Sequence, residues 1–188
     1  MKDCTKSRLL IIMIGCTLLC ALATPWIGHQ LTSWNVLLRP GADDVDAIIF
    51  WQIRLPRVLL ALLAGAGLSL GGVVFQALFR NPLATPFTLG VASGASLGVT
   101  IAMVGGIHFS LIGLSGTSLA AMSGAILSIA LVYGIARTSG QTSPNTMLLG
   151  GVAISFFFSS LILLLQYLSD ASSSFRVLHW LMGDLSQA

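Results

Sequence analysis

The 188-residue sequence predicts an all-α, polytopic membrane protein, a bundle of five transmembrane helices, on three observations. Hydrophobic residues make up 55% and charged residues 8% of the chain, against roughly 25% charge in an average soluble domain. The charges gather between long apolar runs rather than inside them. No run shows the two-residue alternation of a membrane β-strand. A soluble fold of this size would lack the charge to cover its surface, and a disordered chain would be poor in apolar residues. The nine Lys+Arg, set against six acidic residues that are all Asp, leave a scattered +3. That gives no basic face for nucleic acid.

A helix crossing the hydrocarbon core needs ~20 mostly apolar residues. The first such run is Leu9–Ile27. A polar stretch, Gly28–Arg57, follows and holds Arg39, Asp43, Asp44, Asp46, Arg54 and Arg57. The second span is Val58–Phe79, and the third, Leu89–Ile107, is rich in Gly and Ser. Leu111–Ala136 and Met147–Leu168 make the fourth and fifth. An amphipathic piece, Phe175–Leu185, lies near the end. Ala21-Leu22-Ala23 resembles a signal-peptide cleavage site, but four more spans follow, so the segment reads as a retained helix. The expectation is a single transmembrane domain over residues 1–188.

Lys2, Lys6 and Arg8 before the first span favour a cytoplasmic N-terminus in a plasma or inner membrane. Alternation then places Arg80 and Arg137 inside, and Arg39, Arg54, Arg57 and Arg176 outside. The outer arginines run against the positive-inside trend. Arg54 and Arg57 flank Pro56, and two readings stay open for them: interfacial snorkelling, or an electropositive pad for an acidic partner. Cys16 and Cys20 lie four apart on the first span with no His or carboxylate beside them, which suits apolar packing.

Small and polar residues recur at 4, 3, 4 spacing on three spans. They are Gly65, Ser69, Gly72 and Gln76; Thr117, Ala121, Gly124 and Ser128; and Ser155, Ser159, Ile162 and Gln166. Each set shares one helix face. Small faces let helices approach closely, as would Gly90, Gly94 and Gly98 on the third span. The fifth span differs, because the Gln166 amide needs a partner or water. Pathway lining and buried packing both remain open for that stripe.

Catalytic strings do not survive their context. Gly67-Leu68-Ser69-Leu70-Gly71 fits G-x-S-x-G, but it sits mid-helix instead of on a strand–turn–helix elbow. Gly113-Leu114-Ser115-Gly116 matches the G-x-S-G of rhomboid-type intramembrane proteases. Such an enzyme also needs a facing His, and His29, His108 and His179 all fall in polar segments or at span ends. No phosphate-binding G-x-x-x-x-G-K-[ST] loop occurs, so energy from ATP would come from a partner. No grouping suggests a metal site or a cofactor.

The connections carry the most specific pattern. Arg80-Asn81-Pro82-Leu83-Ala84-Thr85-Pro86 joins the second and third spans, and each proline stiffens the residue before it. Arg54-Leu55-Pro56-Arg57, the Gly65–Gln76 face, Phe79–Pro86 and Leu89-Gly90-Val91-Ala92-Ser93-Gly94-Ala95 follow in order. Taken with Leu149–Ala153 and Trp180–Leu185, this sequence closely resembles the FecCD-type permeases of ABC importers, which take up cobalamin, haem and ferric siderophores.

The resemblance implies the N-terminal half of a ten-helix permease, working as a dimer or pseudo-dimer. Its partners would be a separate ABC ATPase subunit, a periplasmic substrate-binding protein and a second permease copy. It implies that Arg54 and Arg57 dock the binding protein, and that Ser155, Ser159 and Gln166 line the translocation path. Asn81, Leu83, Thr142 and Ser143 would form the cytoplasmic gate, and Arg176 would stand at the channel mouth. Thr85 and Phe87 stand where many relatives carry an acidic residue. Relatives are nearly twice as long, so the 188 residues alone are expected not to transport. The competing expectation is a truncated, non-transporting membrane module that only docks partners.

Overall fold

The structure, a computed structural model, describes residues 2–27, 45–107, 110–111, 114–138 and 143–183. It divides into two units, Met1–Gly67 with Leu185–Ala188, and Leu68–Asp184. Helices dominate, as the apolar runs require. Among the described residues, four stretches are long and apolar enough to cross a membrane: Lys6–Trp26, Ile49–Phe79, Gly116–Thr138 and Pro144–Leu168.

In the first unit, α1 (Lys2–Ala23) runs into a 3₁₀ turn, Thr24–Trp26, where Pro25 is buried. Thr17 and Thr24 donate their hydroxyls to the carbonyls of Met13 and Cys20, one turn back. These polar groups are therefore satisfied within the helix, as an apolar surround demands. A short α2 (Val45–Ile48) continues into a π-helical turn, Ile49–Arg54, and then into α3 (Leu55–Phe79), which belongs to the second unit from Leu68 on. The second span is thus extended upstream, through residues that the sequence assigns to a polar connection. Pro56 supplies a physical reason. Its ring would clash with the carbonyl four residues back in a regular helix, and a wider π turn immediately before it opens that space. Ala47 and Phe50 are buried there against Trp26.

The second unit is organised around the shortest of its apolar helices. The third expected span, Leu89–Ile107, is α4 (Val91–Val104), with 14 residues. At 1.5 Å per residue it is about 21 Å long, short of the ~30 Å hydrocarbon core. Gly90, at φ +73, separates it from a preceding 3₁₀ turn (Pro86–Leu89), and Gly105–Gly106 end it. Leu97, Val99, Thr100 and Ala102 are buried. The glycines of α4 pack closely against α5 (Gly116–Thr138), and Gly90 before it lies against α6 (Pro144–Leu168).

The fourth expected span, Leu111–Ala136, begins later as a helix. Residues Ser110–Leu111 (β1) and Leu114–Ser115 (β2) form a small antiparallel pair, with Ser110 opposite Ser115, before α5 starts. The Ser115 hydroxyl exchanges hydrogen bonds with Thr117 and Ser118 and accepts from the Ser118 amide. It caps the first turn of α5, a structural use of the serine in the protease-like string. The amphipathic end piece is α7 (Ala171–Met182).

Candidate translocation and docking sites

The α4–α5 crossing sets the geometry of the second unit. A Cβ on Gly94 would stand 2.5 Å from the Gly124 carbonyl oxygen and 2.7 Å from Ser128 Cβ. One on Gly98 would overlap the Ala120 carbonyl. Only glycine permits backbones this close. The two small-residue faces read from the sequence therefore meet each other. Ser128, fully buried, donates to the carbonyls of Leu89 at 3.3 Å and Gly90 at 2.8 Å.

The α6 stripe separates into parts. Ser155 is half-buried, donates to the Gly151 carbonyl at 2.8 Å, and lies against Gly90. Ile162 is buried with Leu97 and Phe158. Ser159 is exposed. Gln166 is half-buried, and its amide has no hydrogen-bond partner among the described residues, although its backbone carbonyl accepts from Ser169 and Ser174. Midway along α6, Ser155 is committed to packing. Ser159 and Gln166 are the stripe members whose polar groups stay available.

The Arg80–Pro86 connection buries Ala84 and leaves Arg80, Pro82 and Leu83 exposed. Arg80 turns the chain at φ +49. The Asn81 side-chain oxygen accepts from the Leu83 amide at 2.9 Å, and the Ala84 amide donates to the Asn81 carbonyl at 3.1 Å. Ala84 is fully buried with Phe79, Leu89 and Val132, while Leu83 is 80% exposed. Thr85 and Thr88 then exchange hydrogen bonds that close the next turn. Ser143 is the N-cap of α6. Its hydroxyl accepts from the Thr146 amide at 3.2 Å and pairs with the Thr146 hydroxyl. Thr142 lies outside the described residues, and among those residues no hydrogen bond joins Asn81 or Leu83 to Ser143.

At the other end of α6, a serine-rich corner leads into α7. Asp170 caps that helix, accepting from the Ser173 amide at 3.1 Å and from the Ser172 hydroxyl. The Ser172 and Ser173 hydrogen bonds hold its carboxyl well below the usual carboxylate range. Arg176 is exposed and donates to the Ser173 hydroxyl at 2.9 Å. Asp170 immediately before the amphipathic run is the N-cap signal that would have revealed this corner in the sequence.

In the first unit, the two outer arginines differ. Arg54 is half-buried and donates to the Pro25 carbonyl at 3.1 Å, whereas Arg57 is exposed. Pro25 and Trp26 had no assigned part in the sequence reading.

The FecCD transport family matches residues 9–188. The molybdate import system permease protein MolB of Haemophilus influenzae is 40% identical over 167 residues, covering 88% of this chain and 48% of that protein. The vitamin B12 import system permease protein BtuC of Yersinia enterocolitica is 34% identical over 177 residues, covering 94% of this chain and 50% of that protein. Among solved structures, an inward-facing metal-chelate type ABC transporter aligns with a TM-score of 0.77 at 34% identity, covering 97% of this chain and 55% of that one. The chain spans about half the length of the curated relatives it matches.

Proposed function

The chain belongs to the FecCD transport family, and on that premise we propose that it forms half of the helix bundle of an ABC importer permease. The permease sits in the bacterial inner membrane with its N-terminus in the cytoplasm. It passes a ferric siderophore, haem or cobalamin delivered by a periplasmic binding protein. ATP hydrolysis belongs to a separate ATPase subunit, and a second permease copy completes the path. Molybdate as the named cargo of one relative widens the range of oxyanions and chelates that such a scaffold accommodates. Selectivity then rests mainly with the binding protein.

The observation that carries this reading is the amide of Gln166, which has no partner among the described residues, on a membrane-length helix and on the same side as exposed Ser159. An amide facing hydrocarbon is costly, so the pair suits a wet interior lined by α6. Ser155 borders the same face through its packing on Gly90. The stiff Asn81–Leu83 turn and the Ser143 cap, with Thr142 beside it, serve as the cytoplasmic gate. In that gate Leu83 is the projecting apolar element. Arg176 stands at the outer mouth, and Arg54 and Arg57 supply the docking region for acidic groups of the binding protein.

Co-purification tests this directly. The full-length permease, tagged and extracted in mild detergent, should bring down the ATPase encoded with it. Adding the cognate binding protein should raise ATP hydrolysis. Absence of both partners from the purified material would overturn the reading.

A further inference from the structure

The two parts assigned to the cytoplasmic gate, the Asn81–Leu83 turn and the Ser143 cap, share no hydrogen bond among the described residues. Both nevertheless bear on one place in the second unit, the backbone of Leu89 and Gly90.

The turn reaches that place through a stiff lead. Ala84 and Leu89 are buried in one apolar cluster with Phe79 and Val132. Between them, Thr85 and Thr88 exchange hydrogen bonds at 3.2 and 2.6 Å in a capping box. The cap reaches the same place through α6. Gly151 lies about two helical turns beyond Ser143. A Cβ on Gly151 would overlap the Thr88 carbonyl oxygen and stand 2.6 Å from Leu89 Cα. Backbones packed this closely transmit displacement, because no slack lies between them.

Ser128 holds the place from a third side. It is fully buried on α5, and its hydroxyl donates to the Leu89 carbonyl at 3.3 Å and the Gly90 carbonyl at 2.8 Å. Val132 stands one turn further along the same face of α5. The Leu89–Gly90 junction is thus gripped by α5 and α6 together. It is also where α4 starts, since the Gly90 carbonyl accepts the Gly94 amide at 2.9 Å.

We infer that Ser128 is a positioning residue for the cytoplasmic gate. It joins the Asn81–Leu83 turn and the α6 cap into one body, with no hydrogen bond to either among the described residues. This rests on the gate reading above.

The test uses the full-length permease with its ATPase in nanodiscs, and hydrogen exchange at four amides. Those of Leu83 and Ala84 donate to Asn81, and those of Thr146 and Met147 to Ser143. In S128A all four should exchange roughly three- to tenfold faster, the factor for one lost hydrogen bond. T100V removes another fully buried hydroxyl, whose bond to the Ser96 carbonyl at 2.7 Å stays within α4. It should leave the four amides at the wild-type rate. Should S128A fail to fold, S128C, whose thiol is only a weak donor, is read in its place. Faster exchange confined to Gly90 and Gly94, no change in S128A, or an equal change in T100V would each overturn the inference. Uptake of a ferric siderophore, haem and cobalamin, each tried in turn in proteoliposomes, tests the gate by itself. L83A should slow it. If L83A leaves uptake unchanged for the cargo carried, the gate reading fails alone. The four amides then still decide the link: a joint response in S128A upholds it, and a separate one overturns it.

Discussion

The Ser128 hydroxyl on α5 donates to the Gly90 carbonyl at 2.8 Å, joining the middle of one helix to the residue where another begins. The same hydroxyl lies 2.9 Å from where a Cβ on Gly90 would stand. Gly90 is left-handed at φ +73 and Gly106 at φ +65, but nothing lies within 4 Å of a Cβ on Gly106. Gly106→Ala therefore adds only backbone strain of about 1–2 kcal/mol. Gly90→Ala adds crowding against Ser128, Gly151 and Ser155 as well. Thermal unfolding in detergent should show the larger loss for Gly90→Ala. Equal losses would contradict the node.

The α4–α5 crossing gives a prediction of opposite signs. Gly94→Ala and Gly124→Ala place a methyl against the facing backbone and should each cost about 1–3 kcal/mol, the range for overpacking. A Cβ on Gly67 meets nothing within 4 Å, so Gly67→Ala should gain up to about 1 kcal/mol of helix propensity. Unfolding midpoints of the three variants check this. A shift of one sign for all three would show that the crossing is looser than described.

Asp170 sets a pH dependence. Its carboxyl is held below the ordinary 3.8 by the Ser172 and Ser173 hydrogen bonds. A depressed carboxyl contributes stability that is present above the unfolded value and lost as pH falls through the native one. Wild type should exceed Asp170→Asn in unfolding midpoint at pH 6, and the gap should close as pH falls below 3.8. A gap that persists unchanged into strong acid would remove the cap from the account of α7.

Gln166 separates packing from passage. Its amide has no partner among the described residues, so Gln166→Leu should leave the unfolding midpoint within the roughly ±0.5 kcal/mol of a neutral surface change. Uptake by the full-length permease should slow. Collapse of folding with uptake per folded molecule unchanged would make Gln166 packing glue.

Much of the arrangement was legible in the sequence because membrane segments are set by composition and small residues mark close contacts. Gly94 and Gly98 on one run, and Gly124 and Ser128 on another, announced a crossing that the structure makes. Less legible was the length of α4. Apolar count alone does not reveal that Gly90 adopts a left-handed conformation. Single-helix periodicity also cannot tell which neighbour a face meets, so Ser155 fell on a path-like stripe although its side chain lies against Gly90. The Arg54 bond was hidden for the same reason, since its acceptor, the Pro25 carbonyl, is 29 residues away. The π turn was hidden because Pro56, with Arg54 and Arg57 beside it, reads as an interruption, while the chain stays helical through it.

The most direct measurement is accumulation of a ferric siderophore, haem or cobalamin inside proteoliposomes that hold the full-length permease and its ATPase. The loaded binding protein is supplied on the face it docks, and ATP on the other. Uptake should require ATP and the binding protein together and should fall in Gln166→Leu. No ATP-dependent accumulation of any of the three cargoes, with the complex folded and hydrolysing ATP, would contradict the importer reading.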